Sequence, residues 1–264
     1  MGLFYYLTAA LYALAVCGFL ASLSISHDRL VVAARIALGA AALSHFVTIG
    51  NHCIVGRHPL LDTSGVISLT AWLLALGYLV AAFKWRLAVG GALVAPLSLG
   101  LLLVSGLTYH SGVLEVQTVA KTLGKVHLTL VSVGVAAFAL AATASVLYLL
   151  QDSALKSRRL GTIFRRMPPL NTLDSLGRGL TLVGFPTFTL AVLTGFLWMA
   201  QLPRRGGLRA EYAISGIIWL IFASLIVARL TVGLRGRRAA LLTVIGFAAT
   251  GAVLLLYAGR RAIG

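Results

Sequence analysis

Residues 127–150 of the chain read HLTLVSVGVAAFALAATASVLYLL, and they include no Asp, Glu, Lys or Arg. A helix of this length is about 36 Å long at about 1.5 Å per residue, which exceeds the ~30 Å hydrocarbon core of a bilayer. The stretch is apolar throughout and does not alternate between apolar and polar side chains, so it is not typical of a barrel strand. It therefore predicts a helix that crosses a membrane.

Seven further apolar runs of similar length flank this stretch, which is the fifth span of the series. They are Leu3–Ile25, Leu30–Gly50, Val66–Phe83, Leu87–Leu107, Leu180–Leu202, Tyr212–Ala228 and Ala239–Ala258. Hydrophobic residues make up 59% of the chain and charged residues 11%, whereas soluble domains are about 45–50% apolar and about 25% charged. The composition excludes a soluble globular enzyme and a disordered chain. The sequence predicts an all-α integral membrane protein, a bundle of eight transmembrane helices forming one domain over residues 1–264.

The distribution of Lys and Arg between the loops predicts the orientation. The odd-numbered loops, together with Arg35, hold fourteen basic residues, and the even-numbered loops with the C-terminus hold eight. Because basic residues concentrate in cytoplasmic loops, the odd loops are expected inside and both termini outside the cell inner (plasma) membrane. The net charge of +16 therefore indicates topology and contact with anionic lipid, and we expect no nucleic-acid partner.

The longest loop, from about Gln151 to Gly177, is strongly basic. Its candidate contact residues are Lys156, Arg158, Arg159, Arg165 and Arg166. One interpretation is contact with the anionic headgroups of the lipid bilayer. The other is a docking site for a cytoplasmic partner.

The histidines fall mostly on the predicted outer side, with His45 near the outer end of span two and His127 at the start of span five. An imidazole is costly in lipid unless water, a side chain, a metal or a haem iron partners it. For each of these two residues we consider a histidine that meets interfacial water and a haem ligand. No span interior holds an Asp or Glu, which disfavours a pump that relays protons through buried acids.

Short motifs follow one another in a set order through the second half of the chain. They are VHL at 126–128, LYLLQ at 147–151, MPPL at 167–170, GFP at 184–186, GLRGRR at 233–238 and LYAGRR at 256–261. In this order and spacing the series resembles the cytochrome c assembly protein family, which includes CcsA, HemX and YpjD-like membrane proteins. The resemblance covers most of the chain and is strongest over residues 126–261.

The resemblance implies haem chemistry. Members like CcsA bind haem and deliver it to apocytochrome c outside the membrane, and their axial-ligand histidine maps onto His127. We therefore expect a non-covalent, b-type haem with His127 as an iron ligand. His45 reaches a similar depth on another helix, so the two imidazoles could ligate one haem from opposite faces if their helices adjoin. Other cytochrome c assembly proteins are the implied partners.

One departure from the family bears on activity. Its haem-transferring members carry a tryptophan-rich WWD segment, but residues 201–211 here read QLPRRGGLRAE. The chain thus resembles the HemX and YpjD branch, and we expect a haem-handling protein of cytochrome c-type biogenesis that is not an enzyme. The alternative is a non-enzymatic regulator or scaffold of tetrapyrrole biosynthesis that docks a haem-biosynthesis enzyme on its basic loop.

Overall fold

The structure is a computed structural model that describes most of the chain. The described residues are 2–25, 27–54, 63–85, 87–109, 118–158, 161, 166–201 and 210–263. Within them, side chains are described except at 52–54, 63, 118–121, 210–212 and 253–263.

The described residues form eight α-helices, and each predicted apolar run coincides with part of one of them to within two residues at its ends. The helices are α1 Leu3–Ser24, α2 Asp28–Ile54, α3 Thr63–Lys84, α4 Ala88–Leu107, α5 Thr118–Lys156, α6 Leu170–Ala200, α7 Ala210–Thr231 and α8 Arg237–Ile263. The first seven are long and apolar enough to cross a membrane. The chain is therefore an all-α, multi-pass membrane protein, while the count of eight spans stays a prediction.

Two helices extend well beyond their predicted spans. α5 begins at Thr118, before His127, and its 39 residues make it about 58 Å long. α6 begins at Leu170 instead of Leu180. Both helices are longer than the bilayer is thick. Polar residues such as Thr and Lys end an apolar run, but they do not end a helix. The predicted loop at 151–177 is consequently helical at both of its ends.

The helices pack as two groups that α5 joins. α1 packs on α2 and α4, and α3 packs on α2 and α4, around fully buried side chains such as Phe19, Leu38 and Leu74. α5 then contacts α3, α6 and α8, and α7 contacts α6 and α8. In this second group the rings of Phe138 and Phe222 stack with centroids 3.6 Å apart. α5 is thus the central helix of the bundle.

Contacts between side chains fix which helix ends lie together. His45 of α2 meets Ser68 near the start of α3, and Ser132 near the start of α5 donates to Val66 O of α3. His127, also near the start of α5, meets the last third of α6. We call this the histidine end of the bundle, defined by His45 and His127. The turn between α1 and α2 lies at the opposite end.

Candidate functional site

His127 is held against α6 by a short hydrogen bond. Its Nδ1 lies 2.7 Å from the carbonyl oxygen of Ala191. A carbonyl oxygen can only accept, so Nδ1 must carry the proton in this contact. The neutral ring then keeps its lone pair on Nε2, the atom with which an imidazole of this tautomer ligates a metal. The backbone of α6 therefore sets both the orientation and the tautomer of His127.

A second aromatic ring lies beside this imidazole. The indole of Trp198, two residues before the end of α6, has its ring centroid 5.7 Å from that of His127, with the planes inclined by 39°. Each of the two rings packs over a glycine of the other helix. A Cβ at Gly195 would lie 2.8 Å from His127 Cε1, and a Cβ at Gly124 would lie 2.9 Å from Trp198 Cε2. The two helices can approach at the histidine end because these positions carry no side chain.

The indole N–H of Trp198 has an unusual environment within the described part of the chain. Its Nε1 atom is buried and has no hydrogen-bond partner among the residues that the structure describes. A buried donor without an acceptor costs about 1–3 kcal/mol, so such atoms are few in folded proteins. The imidazole of His127 and the indole of Trp198 thus lie side by side on α5 and α6.

His45 has a different environment. The side chain is fully buried, with Tyr12 Oη 3.2 Å from Nδ1 and Ser68 Oγ 2.8 Å from Nε2. Tyr12 also meets the imidazole edge to face, with centroids 5.7 Å apart. Both ring nitrogens of His45 are therefore engaged by hydroxyls of α1 and α3.

The structure does not bring His45 and His127 together. α3 packs against both α2 and α5, whereas α2 and α5 form no comparable interface within the described part of the chain. His45 faces α1 and α3, and His127 faces α6. Shared ligation of one haem by His45 and His127 would require that their helices adjoin. These contacts do not meet that condition.

The other predicted outer histidines cannot be placed in this site. The side chain of His52 and the whole of His58 and His110 lie outside the described residues. Among the side chains that are described, no three of His, Cys, Asp or Glu form a group that could hold a metal ion.

Some basic side chains of the segment predicted as a loop at 151–177 are engaged in ion pairs. Lys156 and Arg237 both lie 2.9 Å from the carboxylate of Asp152, so Lys156 joins an ion-pair network between α5 and α8. Arg158 is exposed and has a φ of 55°. Arg159 and Arg165 lie outside the described residues.

Arg166 departs from the expected lipid- or partner-facing role. Its Nη1 donates to the carbonyl oxygen of Ser22 at 2.9 Å, and its Nη2 lies 3.2 Å from Asp28. The last carbonyl groups of a helix lack partners within that helix, so the end of α1 attracts a guanidinium. Its side chain is only 20% exposed. Arg166 therefore takes part in packing, and its contact with lipid or a partner stays a prediction.

Sequence reasoning did not single out Trp198, which lies near the end of its span, where interfacial aromatic residues are common. A signal was present in the spacing, because Gly124 precedes His127 by three residues and Gly195 precedes Trp198 by three. Residues three apart share a helix face, so each pair predicts an aromatic ring beside a gap on its helix. The segment that replaces the tryptophan-rich element lies largely outside the described residues, at 202–209.

Comparison with known proteins identifies the family of the chain. The family model for the cytochrome c assembly protein matches residues 60–259. Protein HemX of Bacillus subtilis is 26% identical over 197 residues, which cover 71% of this chain and 69% of that protein. Protein HemX of Brevibacillus brevis is 35% identical over 72 residues, or 27% of this chain and 26% of the relative.

CcsA proteins, described as cytochrome c biogenesis proteins, are also similar. The one from Chlamydomonas reinhardtii is 26% identical over 227 residues, which are 79% of this chain and 60% of that protein. The matches to these three relatives thus span from about a quarter to just over two thirds of the relatives' lengths. No solved structure matches the chain. Since the family model covers most of the sequence, the chain belongs to the cytochrome c assembly protein family.

Proposed function

We propose that the protein binds haem non-covalently at His127, at the histidine end, as a haem-handling protein of cytochrome c-type biogenesis. The observation that carries the proposal is the 2.7 Å contact between His127 Nδ1 and Ala191 O. This contact leaves Nε2 as the ligating atom. When bound, a b-type haem supplies the iron centre, for which an imidazole is a common axial ligand.

The residues of the site suit such a group. Metal-ligating histidines usually donate their other N–H to a carbonyl or carboxylate, which raises the basicity of the ligating nitrogen and fixes the ring. His127 has this arrangement, and Trp198 provides an apolar face with an unused donor beside it. Family membership and the similarity to CcsA proteins support haem as the ligand.

The role we propose is holding and passing on haem, without catalysis of a reaction. His127 would bind the iron, Ala191 O would keep the proton at Nδ1, and Gly195 would let the ring lie against α6. One non-covalent ligand suits a cargo that is taken up and released. We further propose a plasma-membrane location with the histidine end outside, on the basis of the fourteen and eight basic residues in odd and even loops.

A second candidate function is a regulator or scaffold of haem biosynthesis. The similarity to HemX of Bacillus subtilis over 71% of this chain favours it. Here the exposed Arg158 and its basic neighbours at the opposite end would dock a haem-biosynthesis enzyme, and no haem would be needed at His127. The two candidates differ in one measurable property, the affinity of the purified protein for haem.

Titration of the detergent-purified protein with haem tests the proposal. We expect a bound-haem Soret band that shifts from that of free haem, with the shift abolished in His127→Ala. The matched control is His27→Ala, an exposed histidine at the opposite end of the bundle. A parent protein without a Soret shift, or equal spectra for the parent and His127→Ala, would contradict the proposal and favour the regulator.

A further inference from the structure

A crevice lies between α3 and α6, near the end of the bundle opposite the histidine end. Both helices pack on α5, but within the described residues they form no comparable interface with each other. The gap between them is lined by residues of α3, α4, α5 and α6. Its rim is half-buried and includes Ala81, Thr143 and Leu180, whereas its floor is buried and includes Gly90 and Leu147. We call this gap the α3–α6 crevice.

The lining of the crevice is apolar in effect, although it includes two hydroxyl groups. Tyr78 Oη donates to Leu87 O at 3.0 Å, and Thr143 Oγ1 donates to Ala139 O at 2.9 Å. Both hydroxyl protons are therefore used within the protein, and the other lining residues are Gly, Ala, Val and Leu. A polar ligand would give up hydrogen bonds to water here and gain few in return. The lining therefore favours hydrocarbon.

The α3–α6 crevice is also narrow. Its volume is about 30 Å³, whereas pockets for compact small molecules measure about 300–1,000 Å³. A rigid ring system such as a porphyrin does not fit this space, but a flexible chain can lie along it. An apolar gap on a helix bundle within a membrane forfeits dispersion contacts when it is empty, and an acyl chain of the surrounding lipid would supply them.

A cation lies where the crevice approaches the membrane surface. Gly77, Ala81 and Lys84 follow one another at spacings of four and three residues, so they share one face of α3. Lys84 is exposed at the end of α3, and its ammonium group lies 5.1 Å from the centroid of the Trp85 ring. None of the ion pairs among the described residues includes Lys84. The apolar face of α3 therefore continues into a positive charge at the depth of the lipid headgroups.

We infer that the α3–α6 crevice binds an acyl chain of an anionic glycerophospholipid, and that Lys84 contacts the phosphate of the same lipid. The order along α3, apolar and then cationic one turn later, is the order along such a lipid from acyl chain to phosphate. Two acids near this end are engaged elsewhere, because Asp152 pairs with basic side chains and Asp174 accepts from a backbone N–H. The charge of Lys84 therefore favours an anionic headgroup. The inference is independent of haem binding at His127.

Native mass spectrometry of the full chain in detergent, titrated with phosphatidylglycerol or phosphatidylcholine, tests the inference. The parent should bind its first phosphatidylglycerol more tightly than its first phosphatidylcholine. Lys84→Gln should weaken phosphatidylglycerol about fivefold and leave phosphatidylcholine nearly unchanged, while Lys84→Arg should bind like the parent. The matched control is Arg178→Gln. Arg178 is exposed, and it lies two residues from both Leu176 and Leu180, so it faces away from the crevice that they line.

A second set of variants tests the place of the acyl chain. Ala81→Phe fills the crevice from its rim and should weaken the binding of both lipids about tenfold. If that variant does not fold, Ala81→Leu adds a smaller side chain and the same outcomes apply. The control is Val80→Phe, which adds the same ring at a position of α3 that is 62% exposed and does not line the crevice. It should bind both lipids like the parent.

Three results would overturn the inference. The first is an equal loss of phosphatidylglycerol in Lys84→Gln and Arg178→Gln, which would assign the attraction to the basic end of the bundle as a whole. The second is equal lipid binding by the variants at Ala81 and Val80, which would place the acyl chain outside the crevice. The third is a lipid-free dimer of the parent, in which a second copy of the chain covers the crevice.

Discussion

Gly195 of α6 lies directly against the imidazole of His127, at a distance that excludes any side chain. A Cβ at this position would be 2.8 Å from Cε1 and 3.0 Å from Nδ1 of the ring. One turn earlier on the same helix, Ala191 O accepts the proton of Nδ1 at 2.7 Å. The α6 backbone therefore both supports and tethers the ring, and a change at Gly195 should act on His127.

We predict that Gly195→Ala weakens haem binding by about tenfold and destabilises the protein by about 1–3 kcal/mol. The added methyl group must displace a ring that is tethered at Nδ1, and overpacking of this kind has that order of cost. Haem titration and thermal unfolding in detergent measure the two effects. The matched control is Gly179→Ala, also in α6, where a Cβ meets nothing within 4 Å. Equal haem affinity and equal thermal stability of the two variants would show that contact with Gly195 does not position His127.

A second prediction concerns Arg166. Arg166→Gln should lower the free energy of unfolding by about 1 kcal/mol, because it removes the hydrogen bond to Ser22 O at the end of α1. The pair with Asp28 should add little, since that carboxylate is 96% exposed. Arg158→Gln is the control, because Arg158 is exposed and a change there should stay within about 0.5 kcal/mol. If both variants unfold like the parent, Arg166 is not an anchor of the α1–α2 turn.

The third prediction separates His45 from His127. His45→Ala should destabilise the protein by about 2–4 kcal/mol, because it leaves a cavity and removes the partner of Tyr12 and Ser68. Haem affinity should change little, because His45 faces α1 and α3 instead of the α5–α6 site. Chemical or thermal unfolding and haem titration of one preparation give both values. Loss of haem without loss of stability would instead identify His45 as a ligand.

Local sequence predicted the helices of this fold well, because the length and apolarity of a run identify a transmembrane helix. Each apolar run coincides with part of a helix, but the run and the helix end for different reasons. α5 continues from Leu150 to Lys156 because membrane solvation limits the run, whereas capping and turn residues limit the helix. The boundaries at 118 and 170 were therefore missed.

The candidate site was predicted only in part. His127 was singled out, but the order of helices around the bundle depends on long-range packing that no local pattern carries. That is why the separation of His45 from His127 by α3 was not foreseen. Trp198 resembled an interfacial anchor, and its packing against His127 and Gly124 depends on the approach of α5 to α6, which no local pattern shows. Arg166 resembled a solvated loop residue because its acceptor lies on Ser22, far away in sequence.

A fourth prediction tests the orientation. In a background with Cys17 and Cys53 changed to serine, a cysteine at Ser157 should react with an impermeant thiol reagent only from the cytoplasmic side. Ser157 is exposed and follows α5 directly at the end opposite His127. The expectation comes from the excess of basic residues in the odd loops. Labelling of intact cells at this position would reverse the assigned orientation and place the histidine end inside.

The most direct test of the central claim, ligation by His127, is chemical rescue. His127→Gly removes the imidazole and leaves space for a free one, at a cost of about 1 kcal/mol for glycine in a helix. We predict that this variant lacks the Soret shift of the parent and that added imidazole restores it. The Gly179→Ala control should bind haem with the affinity of the parent. A His127→Gly protein that gives the parent spectrum without imidazole would contradict the assignment of His127 as the haem ligand.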